Sequence, residues 1–288
     1  MERVRASLGT WFEFVKFEHT IFALPFAYLG AVLAQGGIPP FSKWLWITLA
    51  MVGARSAGMA LNRIIDRDLD AKNPRTKNRA LQTGRIQLSQ AKTLVFFSSI
   101  LLLVSAWKLN PFCLLLFPAA LLILAAYSYA KRLTWATHFV LGIVLACAPI
   151  GGWLAVQGKV SFLPLLLGGS VIFWVAGFDI IYACQDMGFD RTFGVQSIPA
   201  RFGLDRALLF STLFHLVSIF LLALIGITGK LGLFFWFGWA LSSLFLLIEH
   251  RLISSRNLSR VNQAFFVMNG WVSVVLFVSL LVDKAWLH

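Results

Sequence analysis

Residues 162–190 read FLPLLLGGSVIFWVAGFDIIYACQDMGFD, an apolar run that ends in three aspartates. The part from 162 to 182 carries one charged residue, Asp179, and is long enough to cross a hydrocarbon core of about 30 Å as an α-helix. Asp186 and Asp190 follow just beyond its end. This stretch therefore predicts a membrane-spanning helix with an acidic segment at one membrane surface.

The composition extends this prediction to the whole chain. Hydrophobic residues fill 59% of the 288 positions and charged residues 13%, whereas a soluble domain carries about a quarter charged residues. The mean hydropathy is +0.79. We expect an all-α integral membrane protein that forms a single domain over residues 1–288, with about nine transmembrane helices. The predicted spans are 17–35, 43–62, 92–108, 111–129, 135–156, 162–182, 206–227, 231–249 and 264–283.

The distribution of Lys and Arg predicts the orientation of these spans. With the N-terminus and the loops after the second, fourth, sixth and eighth spans on one side, that side holds 19 of the 25 basic residues and the other side holds 5. Basic loops stay in the cytoplasm, so we expect these loops and the N-terminus there and the C-terminus outside. Topology and attraction to anionic membrane lipid account for the net charge of +13, and no nucleic-acid partner is implied.

Six of the twelve acidic residues fall in two short segments at the cytoplasmic ends of predicted spans. The segments are Asn62-x₃-Asp66-x₃-Asp70 and Asp179-x₂-Tyr182-x₃-Asp186-x₃-Asp190. In a continuous helix, these spacings place the side chains of each segment on one face. Because like charges on one face repel, we expect a bound cation, and oxygen ligands without His or Cys favour Mg²⁺, which bridges carboxylates to phosphates. Helix capping or pairing with nearby Arg is the alternative.

Cationic residues beside these segments suggest a phosphate site. Arg75, in the loop after the second span, can donate two parallel hydrogen bonds to a phosphate. Arg55 lies inside the second span, where a charge is costly and usually functional, and it shares a helix face with Asn62. Tyr127 and Lys131 form an i, i+4 pair at the end of the fourth span. We expect these side chains to face the same site as the aspartates.

In residue type, spacing and order, the two acidic segments resemble the signature motifs of the UbiA superfamily of intramembrane aromatic prenyltransferases. The resemblance covers essentially the whole chain. It implies a helical bundle around a central cavity in the bacterial inner membrane, with a lateral opening for an isoprenoid tail. It also implies Mg²⁺-dependent transfer of a polyprenyl group from polyprenyl diphosphate to a small aromatic acid. Nothing in it points to an obligate protein partner.

The resemblance further implies roles for individual residues. The implied ligands of Mg²⁺ and diphosphate are Asn62, Asp66, Asp70, Asp186 and Asp190. The implied diphosphate contacts are Arg55, Tyr127 and Lys131. The four aspartates of the first set, together with Lys131, are the candidate catalytic residues. Asp179 and Tyr182 would orient the second motif and help to shape the pocket.

The acceptor and the exact reaction stay open at this point. Asn62 is followed by Arg63, where 4-hydroxybenzoate enzymes usually carry Asn-Asp, and the chain looks more like a subgroup linked in part to a menaquinone route. Both 4-hydroxybenzoate and a dihydroxynaphthoate are therefore candidate acceptors. One alternative is a sister prenyltransferase acting on haem or another acceptor. Another is an ion-coupled transporter, although transporters hold their carboxylates near the bilayer midplane rather than at helix ends.

Overall fold

The computed structural model describes residues 7–17 and 20–286. These residues form helices joined by short connections, with one isolated bridge between Ser254 and Asn257 and no strand. The helices are α1 (Leu8–Val15), α2 (Thr20–Gln35), α3 (Phe41–Ile65), α4 (Arg67–Lys72), α5 (Leu88–Leu109), α6 (Pro111–Leu133), α7 (Thr137–Gln157), α8 (Phe162–Ala183), α9 (Met187–Phe193), α10 (Ile198–Phe202), α11 (Leu204–Thr228), α12 (Leu233–Leu252), α13 (Val261–Gln263) and α14 (Asn269–Trp286). A 3₁₀ turn, Cys184–Asp186, separates α8 from α9, and a π-helical turn, Ala264–Met268, precedes α14.

Within the described ranges, eight helical segments are long and apolar enough to cross a membrane. They comprise α3, α5, α6, α7, α8 with α9, α11, α12, and α13 with α14. The 16-residue α2 is a shorter apolar helix that rises about 24 Å. The predicted spans coincide with these eight segments and α2 to within a few residues, so the all-α membrane fold is confirmed. The chain is an integral membrane protein.

Neighbouring helices pack closely where small residues face each other. α2 packs against α7, α7 against α8, α8 against α11, α3 against α5, and α14 against both α2 and α12. A Cβ added at Gly152 of α7 would stand 1.9 Å from the carbonyl oxygen of Ala27 in α2. Gly30 of α2 meets the backbone of Pro149 in the same way. Lipid tails provide no hydrophobic drive for helix association, so such close backbone contact is a main source of packing energy.

Polar side chains satisfy helix-end carbonyls at one end of the bundle. Lys43, at the start of α3, donates from Nζ to the carbonyl oxygens of Leu109 (2.9 Å) and Ala155 (2.7 Å). Asn110 donates from Nδ2 to the carbonyl oxygen of Leu154 at 2.7 Å. Carbonyls in the last turn of a helix lack intrahelical partners. These bonds therefore join the start of α3 to the ends of α5 and α7.

A buried polar network joins α8, α12 and α14. The Asn269 carboxamide accepts a hydrogen bond from Nε1 of Trp174 (2.7 Å) and donates one to Oε1 of Glu249 (2.8 Å). All three side chains are buried. A buried polar group without a partner is costly, so this network favours one arrangement of the three helices.

The long connections lie together at the end of the bundle opposite to Lys43 and Asn110. We call this end the site end. The segment 66–87 contains α4, and the segment 184–203 contains α9 and α10. Arg75 of the first segment contacts Asp186 of the second. Leu258, between α12 and α13, packs on a cluster that includes Ile198. Both acidic motifs are therefore at one end of the bundle.

Candidate active site

The first motif lies where α3 ends. Asp66 terminates α3 with φ −89° and ψ 4°, and α4 begins at the next residue. Aspartate is favoured at such breaks because its short carboxylate competes with the helical backbone for hydrogen bonds. The prediction of one continuous helix through Asn62, Asp66 and Asp70 is therefore wrong. The break turns the carboxylates of Asp66 and Asp70 toward different partners.

Asp66 is held by cations from α6. Its Oδ2 accepts hydrogen bonds from Nζ of Lys131 at 2.5 Å and from Nδ2 of Asn62 at 2.8 Å. Nη2 of Arg132 lies 3.2 Å from the other oxygen, Oδ1. The carboxylate is 1% exposed, and Oδ1 has no partner with hydrogen-bond geometry. A buried carboxylate oxygen in this position can take a further ligand.

Asp70 is bound by arginines from both sides of the break. Nη1 of Arg79 donates to its Oδ2 at 2.5 Å, and Nη1 of Arg63 lies 3.9 Å from the same oxygen. Arg63 is buried at the end of α3. In the sequence, Arg63 counted among the basic residues of the cytoplasmic side and stood where 4-hydroxybenzoate enzymes usually carry Asp. Its burial beside Asp70 was not predicted, because nothing in a single sequence separates a buried arginine from the solvated ones around it.

The second motif also breaks its helix. α8 ends at Ala183, the 3₁₀ turn covers Cys184–Asp186, and α9 begins at Met187. The expectation of one continuous helical face from Asp179 to Asp190 is therefore wrong. Asp179 lies on α8, whereas Asp190 lies on α9 and is buried among different neighbours.

Arg75 joins the segment that follows the first motif to the second motif. Its guanidinium binds Asp186 through two N–H groups, with Nε 3.0 Å from Oδ1 and Nη2 in contact with Oδ2. Its Nη1 donates to the hydroxyl of Tyr182 at 2.9 Å. Asn73 adds a bond from Nδ2 to Asp186 at 3.1 Å. Burial is the largest single influence and lowers the pKa of Arg75, but the hydrogen bond to Asp186 and the negative charges of nearby acidic groups together outweigh it, and the pKa is raised above its usual value. The Arg75 guanidinium is therefore positively charged at physiological pH.

Asp190 and Asp179 have other partners. The hydroxyl of Ser197, which caps α10, donates to Oδ2 of Asp190 at 2.8 Å. Nδ1 of His138, at the start of α7, lies 2.6 Å from Oδ2 of Asp179. Neither His138 nor Ser197 was predicted from the sequence as a site residue. The Ser197-Ile-Pro pattern of a helix N-cap is the one local signal that marked this segment as structured.

An apolar cavity of about 330 Å³ extends from the site end between α2, α3, α5, α6 and α7. Among the described residues that line the cavity, Arg55 has a charged side chain and Tyr127 has a hydroxyl group. Tyr127 lies one turn from Lys131 on α6, and Arg55 lies two turns from Asn62 on α3. Arg55 also donates from Nη2 to the carbonyl oxygen of Lys16 at 3.3 Å. The cavity thus begins one to two helical turns, about 5 to 11 Å, from the polar groups.

The predicted site residues therefore come together at one end of the bundle as neighbouring pairs. Asp66, Asp70 and Asp186 each lie within 4 Å of a Lys or Arg nitrogen. In the described part of the chain, no three His, Cys, Asp or Glu side chains converge closely enough to bind one metal ion. The site thus has two parts: ion pairs between carboxylates and Lys or Arg at the site end, and an apolar cavity beside them.

Comparisons with known proteins identify the family. The UbiA prenyltransferase family matches residues 23–273. The 4-hydroxybenzoate octaprenyltransferase of Aromatoleum aromaticum is 34% identical over 87% of this chain and 85% of its own length. That of Tolumonas auensis is 32% identical over 87% of each chain.

Solved structures agree with this assignment. The apo structure of a UbiA homologue from Aeropyrum pernix K1 has a TM-score of 0.84 at 38% identity, over 92% of this chain and 98% of that one. A UbiA homologue from Archaeoglobus fulgidus bound to DMAPP and Mg²⁺ shares the fold, with a TM-score of 0.68 at 19% identity over 93% of this chain and 99% of that one. The resemblance predicted from the two acidic motifs is confirmed. The chain therefore belongs to the UbiA prenyltransferase family.

Proposed function

We propose that this prenyltransferase transfers a polyprenyl group from polyprenyl diphosphate to an aromatic acid of the 4-hydroxybenzoate type, with Mg²⁺ as cofactor. The names of the relatives from Aromatoleum aromaticum and Tolumonas auensis support this acceptor class. The observation that carries the proposal is the division of the site into two parts. Carboxylates and cations lie at one end, and the apolar cavity that contains Arg55 and Tyr127 adjoins them. A polyprenyl diphosphate is divided in the same way, with a charged head and an apolar tail.

Among the described residues, the donor groups suit Mg²⁺ by their chemical type rather than as a preformed cluster. They are oxygen atoms, the type of ligand that this hard cation prefers. The buried Oδ1 of Asp66 has no hydrogen-bond partner and can accept a ligand. The residues that would hold Mg²⁺ are Asn62, Asp66, Asp70, Asp186 and Asp190. Bound there, the cation would stabilise the negative charge of the leaving diphosphate.

The side chains of this protein supply the rest of the site. Arg75 keeps its charge and presents several N–H donors, so it suits a diphosphate oxygen as well as the carboxylate it binds here. Lys131 is a second cation at the same end, paired with Asp66. Arg55 and Tyr127 lie in the cavity wall and would contact the diphosphate where it meets the prenyl tail. Such preorganised groups lower the cost of separating charge in the transition state.

The apolar cavity wall has two further roles. It can bury the first isoprene units by the hydrophobic effect, which favours burial by about 25 cal/mol per Å². It also keeps water from the allylic carbon, where attack by water would hydrolyse the donor instead of prenylating the acceptor. Asp179 and Tyr182 would hold the second motif in position through His138 and Arg75.

The charge asymmetry supports a cytoplasmic site. The basic residues concentrate in the connections at the site end, which the positive-inside rule assigns to the cytoplasm. We therefore place the N-terminus and the active site on the cytoplasmic face of a bacterial inner membrane, with the C-terminus outside. Cysteine labelling of Asn78→Cys and Lys230→Cys with a membrane-impermeant maleimide tests this, because only the second variant should react in intact cells.

The activity is tested in membranes that contain the protein. The membranes are incubated with Mg²⁺, a radiolabelled allylic diphosphate and either 4-hydroxybenzoate or a dihydroxynaphthoate. We expect a lipophilic labelled aromatic product that EDTA abolishes and that 4-hydroxybenzoate supports best. Better turnover of the dihydroxynaphthoate would move the protein to a menaquinone route. No product with any aromatic acceptor would contradict the proposed function.

A further inference from the structure

His138 is buried at the start of α7, a helix that contributes no carboxylate to either motif. It is 1% exposed, and both of its ring nitrogens have partners. Nδ1 lies 2.6 Å from Oδ2 of Asp179, and Nε2 lies 3.2 Å from the backbone nitrogen of Ile198. The ring therefore connects α8 with the first turn of α10.

These partners determine the protonation of the ring. The backbone N–H of Ile198 can only donate, so Nε2 of His138 must be the acceptor and carries no proton. The single ring proton is then on Nδ1 and is donated to the carboxylate of Asp179. A protonated Nε2 would point its hydrogen at the hydrogen of Ile198. His138 is thus a neutral imidazole with a defined tautomer.

The contact at Ile198 leads directly to the last carboxylate of the second motif. Ser197, the preceding residue, donates its hydroxyl to Asp190 at 2.8 Å and accepts from the N–H of Ala200. The N–H of Gln196 donates to the carbonyl oxygen of Lys131 at 2.7 Å. The segment 196–198 is therefore fastened to α6, to α7 and to Asp190 at consecutive residues.

We propose that His138 is a positioning residue of the active site: it fixes Asp179 on α8 and, through the Ser197–Ile198 turn, holds Asp190 in the orientation that binds Mg²⁺ and diphosphate. This inference rests on the proposed function for the identity of the ligand. Without the imidazole, Asp179 loses its donor and the turn that carries Ser197 loses its attachment to α7. Asp190 can then take orientations that no longer serve the site.

Substitutions at His138 test the proposal. Glutamine offers one donor and one acceptor, so His138→Gln can keep both bonds, whereas His138→Phe keeps the volume and loses both. Residues that orient metal ligands through hydrogen bonds typically contribute a factor of about 10 to 100 in metal affinity or activity. We expect His138→Phe to raise the Mg²⁺ concentration for half-maximal activity and the KM for the allylic diphosphate by about 10-fold or more. His138→Gln should stay within about 3-fold of the wild type.

Ser211→Ala is the matched control. Ser211 is buried, and its hydroxyl donates to the carbonyl oxygen of Gly177 at 2.8 Å, two residues from Asp179. The variant removes a buried bond to α8 without changing the second motif. It should lower the unfolding temperature and leave both the KM for the donor and the Mg²⁺ requirement unchanged.

A binding measurement separates this proposal from the proposed function. Purified protein in detergent is heated with and without Mg²⁺ plus geranyl thiolodiphosphate, a non-reactive donor analogue, because a ligand that binds the folded state raises the unfolding temperature. We expect the analogue to stabilise the wild type and His138→Gln but not His138→Phe. If the analogue stabilises the wild type but not His138→Phe, and the wild type forms no product with any acceptor, the proposed function fails while the inference about His138 stands.

Two results would overturn the proposal. One is a wild-type Mg²⁺ requirement and donor KM in His138→Phe. The other is a folded His138→Gln that is as impaired as His138→Phe. If His138→Phe does not fold, His138→Asn replaces it, because its shorter side chain can reach Asp179 but not Ile198. Wild-type constants in His138→Asn would then contradict the role of the Ser197–Ile198 turn.

Discussion

Replacing Arg75 with lysine keeps a positive charge and removes the planar set of donors. In the structure, Arg75 makes two contacts with Asp186 and one with the Tyr182 hydroxyl. A lysine ammonium can replace only one of these because it is a point charge on a flexible stem. The same donors serve either Asp186 or a diphosphate oxygen, so the variant should weaken donor binding in both situations.

The size of the effect follows from the bonds lost. A hydrogen bond to a charged group is worth about 1.5 to 3 kcal/mol when fully buried. The side chain of Arg75 is 33% exposed, so solvent screening reduces each bond to about 1 kcal/mol. Losing two of the three bonds costs about 2 kcal/mol, which corresponds to about a 30-fold fall in kcat/KM.

The assay is steady-state kinetics with varied allylic diphosphate in membranes of equal protein content. Arg85→Lys is the control, because Arg85 lies in the same loop and pairs with Glu13 between two largely exposed side chains. This variant should stay within about 2-fold of the wild type, as expected for a surface ion pair. A value of kcat/KM for Arg75→Lys within 3-fold of the wild type would refute the role assigned to the guanidinium.

Three further variants test the metal site, the buried network and the helix packing. Asp66→Asn should lower activity at least about 100-fold at saturating donor, with no rescue by excess Mg²⁺; full activity would remove Asp66 from the metal site. Asn269→Ala removes the hydrogen-bond partner of Nε1 of Trp174 and of Oε1 of Glu249, and at about 2 kcal/mol it should lower the unfolding temperature by about 5 °C; an unchanged melting curve would show that the network is not stabilising. Gly152→Leu forces a side chain into the backbone of α2, so it should abolish folded protein on size-exclusion chromatography, whereas Gly151→Leu, where the structure leaves open space, should not.

Much of the fold could be predicted because membrane burial acts on each segment separately. Every helix that crosses the bilayer must satisfy its own backbone and present apolar side chains to lipid. The apolar run from Phe162 to Tyr182 therefore predicts a membrane-spanning helix without any information from the rest of the chain. Helix ends were predicted to within a few residues because charges and Gly/Pro pairs mark them.

The sequence predicted which residues belong to the candidate site, but not how their side chains are arranged in space. The spacing of the aspartates identified Asp66 and Asp186 as candidates, and their metal-binding roles stay predictions. The expectation of unbroken helical faces was wrong, because Asp66 ends α3 and a 3₁₀ turn precedes α9. A spacing rule assumes that the helix continues, whereas the predicted spans already end at residues 62 and 182, before Asp66 and Asp186.

The sequence by itself determined the class of the protein, the number of apolar segments and the two acidic motifs. These features depend on residue type and on separations of a few residues along the chain. The tertiary structure alone decided which groups meet. Arg75 and Asp186 are 111 positions apart, and His138 and Ile198 are 60 apart. Such contacts depend on how the helices pack, and packing is set by the summed shapes of many side chains rather than by any one motif.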